Sequence, residues 1–517
     1  MKVSSFFKNM KTKNLPDSDR NFREDQELYI ENYEDYATGN YLVDNKKSPG
    51  NGKQLMFLTY VFVAVFIAMM GYTVYFQLTQ SSEVINSSYN KRQDIFSDKV
   101  VRGKILSNNK EVLAETQVAW DGTETRYYPY ENIFAHVVGY SAKGKSGIEA
   151  NANFTLLRSN AFLLERMKNT LKGEKNIGDN VITTLDIDLQ KTAYNALGNY
   201  RGAVIVMEPE TGKILAMVSK PDYDPNTMET TWDSLVADNS GESRLLNRAT
   251  HGIYPPGSTF KIITTLAYIR QFGSVDSYQF DCSGSITEEN TTINCYHNSV
   301  HGDIDLKTSF AKSCNSSFAN IGLLIDKKEF EDTCNSLMFN QKISLPFSYK
   351  QSSVAISKDS DTDEVMQTAI GQGKTQMTPL HMAMITSAIA NDGIVMKPYF
   401  IDSVENYEGT LVKEYSPKKS ATIMTESETE ILKELMRAAV TEGTASKLST
   451  STYTAYGKTG SAEYNDEKGD SHSWFTGFAE ANGKRIVTTI IVEGAGSGSE
   501  YAVPIAGKLF NQYFTNE

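Results

Sequence analysis

Ser258 and Lys261 stand three residues apart in the stretch YPPGSTFK, residues 254–261, where two prolines and a glycine run directly into the serine. On a helix, positions i and i+3 share a side, so this hydroxyl and this amine can meet. An amine that is neutral for part of the time can take the serine proton and leave a nucleophilic oxygen. The spacing alone carries nothing, since it recurs at Ser5/Lys8, Ser88/Lys91, Ser107/Lys110, Ser309/Lys312 and Ser416/Lys419. The surroundings set Ser258 apart. The apolar run IITTLAYI that follows suits a buried helix. A serine at its start faces unpaired N–H groups and the positive end of the helix dipole, which favour a developing oxyanion. A plain N-cap serine fits the same position.

Two further motifs break that tie. KSCNSSF supplies Ser313 and Asn315, and GKTGSAE supplies Lys458, Thr459 and Gly460 at the start of a sheet region. Serine-lysine, then serine-asparagine, then lysine-threonine-glycine is a serial order in which each motif is weak and the set is specific.

The elements that must position these residues are legible as hydrophobic patterns. NVITTLDIDLQKTAYNALGNY carries an amphipathic helix beginning after Asp186. GAVIVME and KILAMVS, joined by PETG, make an antiparallel hairpin. SWFTGFAE and RIVTTIIVEG, joined by ANGK, make a second, and VPIAGKLFNQYF closes the chain with helical spacing. A long, mostly helical insertion separates the hairpins. The expected fold class is α+β: a central antiparallel sheet with terminal helices on one face and a helical lobe on the other. Upstream, KVVRGKILSNNKEVLAET reads as a strand, an Asn-rich turn and a second strand, opening a small, mostly-β domain that runs to about Gly178.

At 517 residues the chain is long enough for two or three folded units. A formal net charge of -12 argues against a polyanion-binding surface, so nucleic acid is not an expected partner. Residues 55–78 carry no charged side chain and suffice to cross roughly 30 Å of hydrocarbon. Lys46, Lys47 and Lys53 precede this span and Glu83 is the first charge after it, which keeps the N-terminus in the cytoplasm and the bulk of the chain outside. The expected division is a disordered cytoplasmic tail over residues 1–54, an uncleaved single-pass membrane anchor over 55–78, a pedestal over 79–178 and a catalytic domain over 179–517.

Cys282, Cys295, Cys314 and Cys334 all fall on the outer side. Cys282 and Cys295 bracket a turn-rich segment that a disulfide could close, and free thiols explain the count equally well. With no CxxC spacing, and with His301, His381 and His472 scattered, the expectation is structural histidines and no metal. The triplet GKT occurs in GQGKT and YGKTG, but a phosphate-binding loop needs glycine six places before its lysine, and Thr368 and Thr452 stand there.

The three motifs together resemble the class B penicillin-binding proteins, monofunctional D,D-transpeptidases of bacterial cell-wall synthesis that share the serine β-lactamase-like fold. The likeness covers nearly everything after the anchor. RGKI (102–105), RYYPYENIFAHVVGY (126–140) and SGIEA (146–150) resemble that family's pedestal. LLNRAT, YPPGSTFK, SCNSSF, AIGQGKTQMTPLHMA, GKTGSAE and SWFTGFA resemble its catalytic signatures.

The resemblance implies acyl transfer without a cofactor. Ser258 is the nucleophile, Lys261 its base, and Ser313 passes a proton toward the leaving amine. Asn315 orients Lys261 and the substrate amide. Burial and a second cation, Lys458, both lower the Lys261 pKa, and Lys458 with Thr459 holds the donor's terminal carboxylate. Gly460 lets the substrate backbone approach, and the N–H groups of Ser258 and Ser461 form the oxyanion hole. Glu463 and Trp474 match family positions, with packing the expected role for Trp474. Implied partners are peptidoglycan stem peptides, β-lactam antibiotics, the membrane and a glycan polymerase of the shape, elongation, division and sporulation (SEDS) family. Rival readings are a hydrolase with the same acylating centre and a sensor that binds without turnover. The hydrolase could be a carboxypeptidase or a β-lactamase; against the β-lactamase stands Cys314, where class A lactamases carry aspartate, and against the sensor stands Asn315.

Overall fold

The computed structural model describes residues 52–79, 98–465 and 470–515. The tail expected over residues 1–54 lies outside the described residues up to residue 51, as does the start of the pedestal, residues 80–97. Two units follow. The first contains one helix, α1 (Gly52–Thr79), apolar over Lys53–Gln77 with a mean hydropathy of 2.2 and no side chain of that span buried. At 1.5 Å per residue it is long enough to span a bilayer.

The second unit holds the chemistry. After a short strand at Val100–Val101 come β1 (Ile105–Leu106), β2 (Val112–Val118) and β3 (Glu124–Tyr127). Four helices over residues 135–172 (Ala135–Val138, Gly147–Asn151, Asn153–Leu156 and Leu163–Lys172) and a short strand at Asn176–Ile177 then lead to β4 (Asn180–Thr183) and α2 (Ile187–Leu197). The first hairpin is β5 (Gly202–Met207) and β6 (Ile214–Lys220); a 3₁₀ turn, Gly257–Phe260, leads into α3 (Lys261–Phe272). Then come β7 (Gln279–Cys282), β8 (Ser285–Glu288), β9 (Thr291–Asn294), β10 (Gly302–Asp305), α4 (Leu306–Lys312) and α5 (Asn315–Leu324). The helical lobe continues with α6 (Thr362–Ala369) and α7 (Pro379–Ala390), and β11 (Ile401–Glu405), β12 (Leu411–Glu414) and α8 (Glu426–Thr441) precede the final sheet strands. These are β13 (Thr454–Asn465), β14 (Asp470–Ala481) and β15 (Lys484–Val492), and α9 (Ala502–Thr515) ends the unit.

Both expected hairpins join one antiparallel sheet in the order β13-β14-β15-β5-β6. Alternation along its strands divides the side chains between two cores. Val204 and Val206 of β5 meet Leu189, Ala193 and Leu197 of α2 and Leu509 and Phe510 of α9. Ala203, Ile205 and Met207 face the other way, toward α3 and α7. Every residue of α7 is buried, so that helix is the centre of the lobe. Full burial of each such aliphatic side chain is worth about 1.5–3 kcal/mol, and the two-sided coverage fixes the strand register. Asp186 caps α2 by accepting from the Leu189 N–H at 2.8 Å, where the sequence placed the helix start.

A second sheet runs β12-β11-β4-β1-β2-β3. Residues 401–414 thus complete a sheet begun at residue 105, so the pedestal and catalytic parts share backbone hydrogen bonds rather than meeting only at a linker. The three pedestal motifs converge on one fully buried carboxylate. Glu149 accepts from Arg102 Nε at 2.6 Å, Arg126 Nε at 2.7 Å and Tyr128 Oη at 3.2 Å. Burial pushes the Glu149 carboxyl up, but the two guanidiniums more than offset it and hold it below the ordinary range.

Candidate active site

The three signatures meet at one cleft of about 1070 Å³ lined by Ser258, Ser313, Asn315, Thr459, Gly460 and Ser461 among others. Ser258 stands, half-buried, in the 3₁₀ turn and Lys261 is the first residue of α3. In a 3₁₀ turn i and i+3 eclipse, which keeps both side chains on one side. Gly257 makes the turn possible. Its φ is +52°, and a Cβ there would lie 2.7 Å from the Ser461 carbonyl oxygen, so only glycine lets the nucleophile turn press against β13. Two contacts brace the prolines: Trp474 Nε1 donates to the Pro255 carbonyl at 3.1 Å, and Tyr254 Oη donates to Glu493 at 2.7 Å. Packing, the role expected for Trp474, is therefore joined by a hydrogen bond that holds the turn.

Ser313 occupies the joint between α4 and α5 in a left-handed conformation, φ 60° and ψ 39°. A non-glycine residue held there stores strain of order 1–3 kcal/mol and is a feature of functional turns. The joint aims both polar side chains of the motif at one amine. Lys261 Nζ donates to Asn315 Oδ1 at 2.7 Å, to the Ser313 carbonyl at 2.8 Å and to Ser313 Oγ at 3.4 Å. Asn315 Nδ2 in turn donates to the Asn294 carbonyl at 3.0 Å, tying the α5 start to the end of β9. Lys458 Nζ, arriving from β13, donates to the same Ser313 Oγ at 2.8 Å. Ser313 therefore lies between two lysines. No hydrogen bond joins Ser258 Oγ to Lys261 Nζ among the described residues; the amine is turned toward the second motif. Catalytic hydrogen bonds of this kind often close only in the reacting complex.

Both lysines are fully buried. Burial lowers Lys261 to about 7, with Cys314 and Cys295 opposing. Burial also puts Lys458 well below the lysine range, and repulsion from Lys261 lowers it further. Of the two causes expected to lower Lys261, burial is found and the Lys458 cation is corrected. Burial does that work, and the repulsion is felt at Lys458, because two buried like charges in a low-dielectric site resist being present together.

Thr459 and Gly460 lie on β13, the edge strand, and face the cleft. Thr459 Oγ1 is 2.6 Å from Thr444 Oγ1, a neighbour in the α8–β13 connection that the sequence did not single out. A Cβ on Gly460 would come 3.1 Å from Thr259 Cγ2 and 3.2 Å from Thr259 N, so this glycine serves the approach of β13 to the nucleophile turn. Gln372, within GQGKT, was also missed. With its amide set so that donor meets acceptor, it donates to the Glu463 carbonyl at 3.2 Å and accepts from the Glu463 N–H at 3.0 Å, pairing with the edge of β13 like a short strand. Lys374 of the same stretch is exposed and pairs with Glu364 at 3.0 Å.

Of the three histidines, His381 Nε2 donates to the Leu337 carbonyl at 2.7 Å, and His472 stacks on Tyr464 at 4.2 Å while its Nδ1 accepts from the Gly494 N–H. These are structural, as expected. His301 is not of that kind: its Nδ1 lies 3.3 Å from Cys282 Sγ. All four cysteines are free thiols in this structure, with the Cys282 and Cys295 sulfurs 3.7 Å apart.

A serine on a turn, backed by two buried lysines that share a second serine and faced by a sheet edge, is the arrangement of a serine acyltransferase of the penicillin-recognising fold. Residues 202–513 match the penicillin binding protein transpeptidase domain, and residues 102–181 match the penicillin binding protein A dimerisation domain. The chain belongs to the class B penicillin-binding proteins. It is 30% identical over 435 residues to the peptidoglycan D,D-transpeptidase PbpA of Mycolicibacterium smegmatis, covering 78% of this chain and 87% of that protein. To the peptidoglycan D,D-transpeptidase MrdA of Acinetobacter baumannii it is 26% identical over 440 residues, covering 74% and 65%. Penicillin-binding protein A from M. tuberculosis, solved as a ceftriaxone acyl-enzyme, superposes with a TM-score of 0.74 at 26% identity, covering 81% of this chain and 99% of that one. The D,D-transpeptidase domain from Eggerthella lenta gives 0.73 at 29% identity, covering 80% and 98%.

Proposed function

We propose that this chain is a membrane-anchored peptidoglycan D,D-transpeptidase that cross-links stem peptides through an ester on Ser258 and is blocked covalently there by β-lactams. The observation that carries this reading is the chain of contacts from Lys261 through Ser313 to Lys458 beside Ser258. Lys261, neutral for part of the time near pH 7, takes the Ser258 proton as Oγ attacks the carbonyl carbon between the two terminal D-alanines. The N–H groups of Ser258 and Ser461 receive the oxyanion, each such donor being worth about 2.7–4 kcal/mol. The C–N bond then breaks, Ser313 passes a proton to the leaving nitrogen, and its own proton is restored from the lysine pair. D-alanine departs. An amine from a neighbouring strand attacks the ester, its proton returns through Lys261, and Ser258 is released.

The donor peptide lies along the free edge of β13, adding a strand where Thr459 and Gly460 are open and Gln372 closes the next step. Lys458 is not among the cleft-lining residues. It acts on the donor carboxylate through its field, while Thr459, with Thr444 fixing its hydroxyl, makes the direct contact. The anchor keeps the N-terminus cytoplasmic, since Lys46, Lys47 and Lys53 precede it. A SEDS-family glycan polymerase meets the anchor and pedestal, which co-purification of the two from detergent would test.

Supplying a peptide ending in D-Ala-D-Ala with an acceptor amine, and counting free D-alanine against cross-linked product, tests the reaction. Equal amounts are expected. D-alanine released without any cross-link would make the chain a hydrolase, and no release at all would leave a sensor.

A further inference from the structure

The pedestal helix Leu163–Lys172 has its two sides reversed. At about 100° per residue, Leu163, Leu164, Met167 and Leu171 share one side within about 100° of arc, and Glu165 and Asn169 fall on the opposite one. A surface helix ordinarily turns its apolar side to the core. Here the polar side faces the protein. Tyr407 Oη, in the turn between β11 and β12, donates to Glu165, and Asn169 Nδ2 donates to Asn176 Oδ1 at 3.2 Å. No residue of the helix is buried, and Leu163, Leu164, Met167 and Leu171, with Phe162 just before them, are each more than half exposed.

The path of the chain says what covers that side. The chain leaving α1 enters the folded unit next to this helix: the Asn176 N–H donates to the Lys99 carbonyl at 3.1 Å and the Gly178 N–H to the Val101 carbonyl at 2.8 Å. Val100–Val101 therefore pairs with Asn176–Ile177, directly past the helix end. Lys175 Nζ meets Glu124 Oε1 at 2.7 Å, which brings the β2–β3 hairpin to the same end of the pedestal. At the tip of that hairpin Trp120 is 99% exposed. An indole on a bare tip is at home among lipid headgroups, where its ring is covered and its N–H stays hydrated. Charge agrees. Residues 158–175 carry five cations against two acids in a chain of net charge -12, and Arg166 and Lys168 border the apolar side to left and right.

We propose that Phe162, Leu163, Leu164, Met167 and Leu171, with Trp120 beside them, lie in the surface of an anionic bilayer and give the pedestal a second membrane contact besides α1. A helix with one apolar and one charged side lies in the plane of the interface, its apolar side about 5–10 Å into the headgroup and acyl boundary. Arg166, Lys168 and Lys172 meet the lipid phosphates. One span leaves a domain free to rotate about its point of attachment, and a second contact fixes its tilt. The proposal rests on the anchor reading of α1 and on none of the chemistry at Ser258.

The full chain, reconstituted in nanodiscs of mixed phosphatidylglycerol and phosphatidylcholine with a diazirine-bearing phospholipid, tests this by peptide mass spectrometry after illumination. Lipid adducts are expected on α1 and on residues 162–171. Leu164→Asp combined with Met167→Asp should cut the adducts on 162–171 at least tenfold, with those on α1, the melting midpoint and penicillin labelling of Ser258 unchanged. Leu164→Ile combined with Met167→Leu should keep them. Pure phosphatidylcholine should lower them at least threefold, and equal labelling there overturns the role given to Arg166 and Lys168. Adducts on α1 with none on 162–171 overturn the second contact and leave the anchor standing, whereas adducts on neither overturn both. Cross-links from 162–171 to a second copy, in place of lipid, put protein on this side and overturn the proposal.

Discussion

Ser313 Oγ accepts a hydrogen bond from Lys458 Nζ at 2.8 Å, joining a residue on the α4–α5 turn to one 145 positions later on the sheet edge. With Lys261 Nζ 3.4 Å away on the other side, this hydroxyl links the two buried amines. Ser313→Ala should slow acylation of Ser258 by roughly 10²–10⁴-fold, the range of a lost proton-transfer group. Because Ser313 and Lys458 act as a unit, Ser313→Ala with Lys458→Ala should cost little more than either alone. Rates of fluorescent penicillin labelling measure both. Fully additive losses would mean that the two side chains act separately.

Acylation should rise with pH through about 7. Burial holds Lys261 near that value, with Cys314 and Cys295 opposing and Lys458 the neighbouring cation. Only the neutral amine can take a proton, so below about 7 the labelling rate should drop about tenfold per pH unit. Lys261→Arg should abolish labelling, since a guanidinium keeps its proton. A profile flat from pH 6 to 9 would remove Lys261 as the base.

Glu149→Ala should destabilise the folded unit by about 3–5 kcal/mol, because it leaves the buried guanidiniums of Arg102 and Arg126 without their shared carboxylate. Denaturant midpoints of the two proteins, compared at equal slope, give the number. A loss under about 1 kcal/mol would show that water or another group replaces the carboxylate.

Much of this was readable before any coordinates. The sheet hairpins declared themselves because β5, β14 and β15 carry apolar residues on both faces, and Ser258, Lys261, Ser313, Asn315 and Lys458 were recoverable from motif order. What stayed hidden was tertiary. The lowered Lys458 pKa depends on burial and on the Lys261 amine brought beside it by the fold. Thr444 and Gln372 earn their places only through partners on β13. The convergence of Cys282, Cys295, His301 and Cys314 to within 4.8 Å was invisible because twelve, five and twelve residues separate them, and only the folding of β7 to β10 against α5 brings them together. Residues 401–414 gave no sign of belonging to the pedestal sheet, since strand pairing at that sequence distance leaves no local pattern.

Stability should fall as pH drops from about 6.5 to about 4. Burial lowers His136 and His381 to about 4, and His381 Nε2 donates to the Leu337 carbonyl. The unfolded chain therefore takes up these protons first, near 6.5, and folding loses ground until the folded pKa is reached. For His381 the full span is worth about 3 kcal/mol at about 1.4 kcal/mol per pH unit. His381→Gln should remove about a third of the slope of the urea midpoint between pH 6.5 and 4.5, since burial lowers His136 and His472 as far, and an unchanged slope would show that His381 does not contribute.

The most direct measurement is peptide mass spectrometry of the chain after exposure to labelled penicillin. One adduct is expected, on Ser258, absent in Ser258→Ala and in Lys261→Ala. Label on any other residue, or an undiminished adduct in Ser258→Ala, would contradict the assignment of the nucleophile.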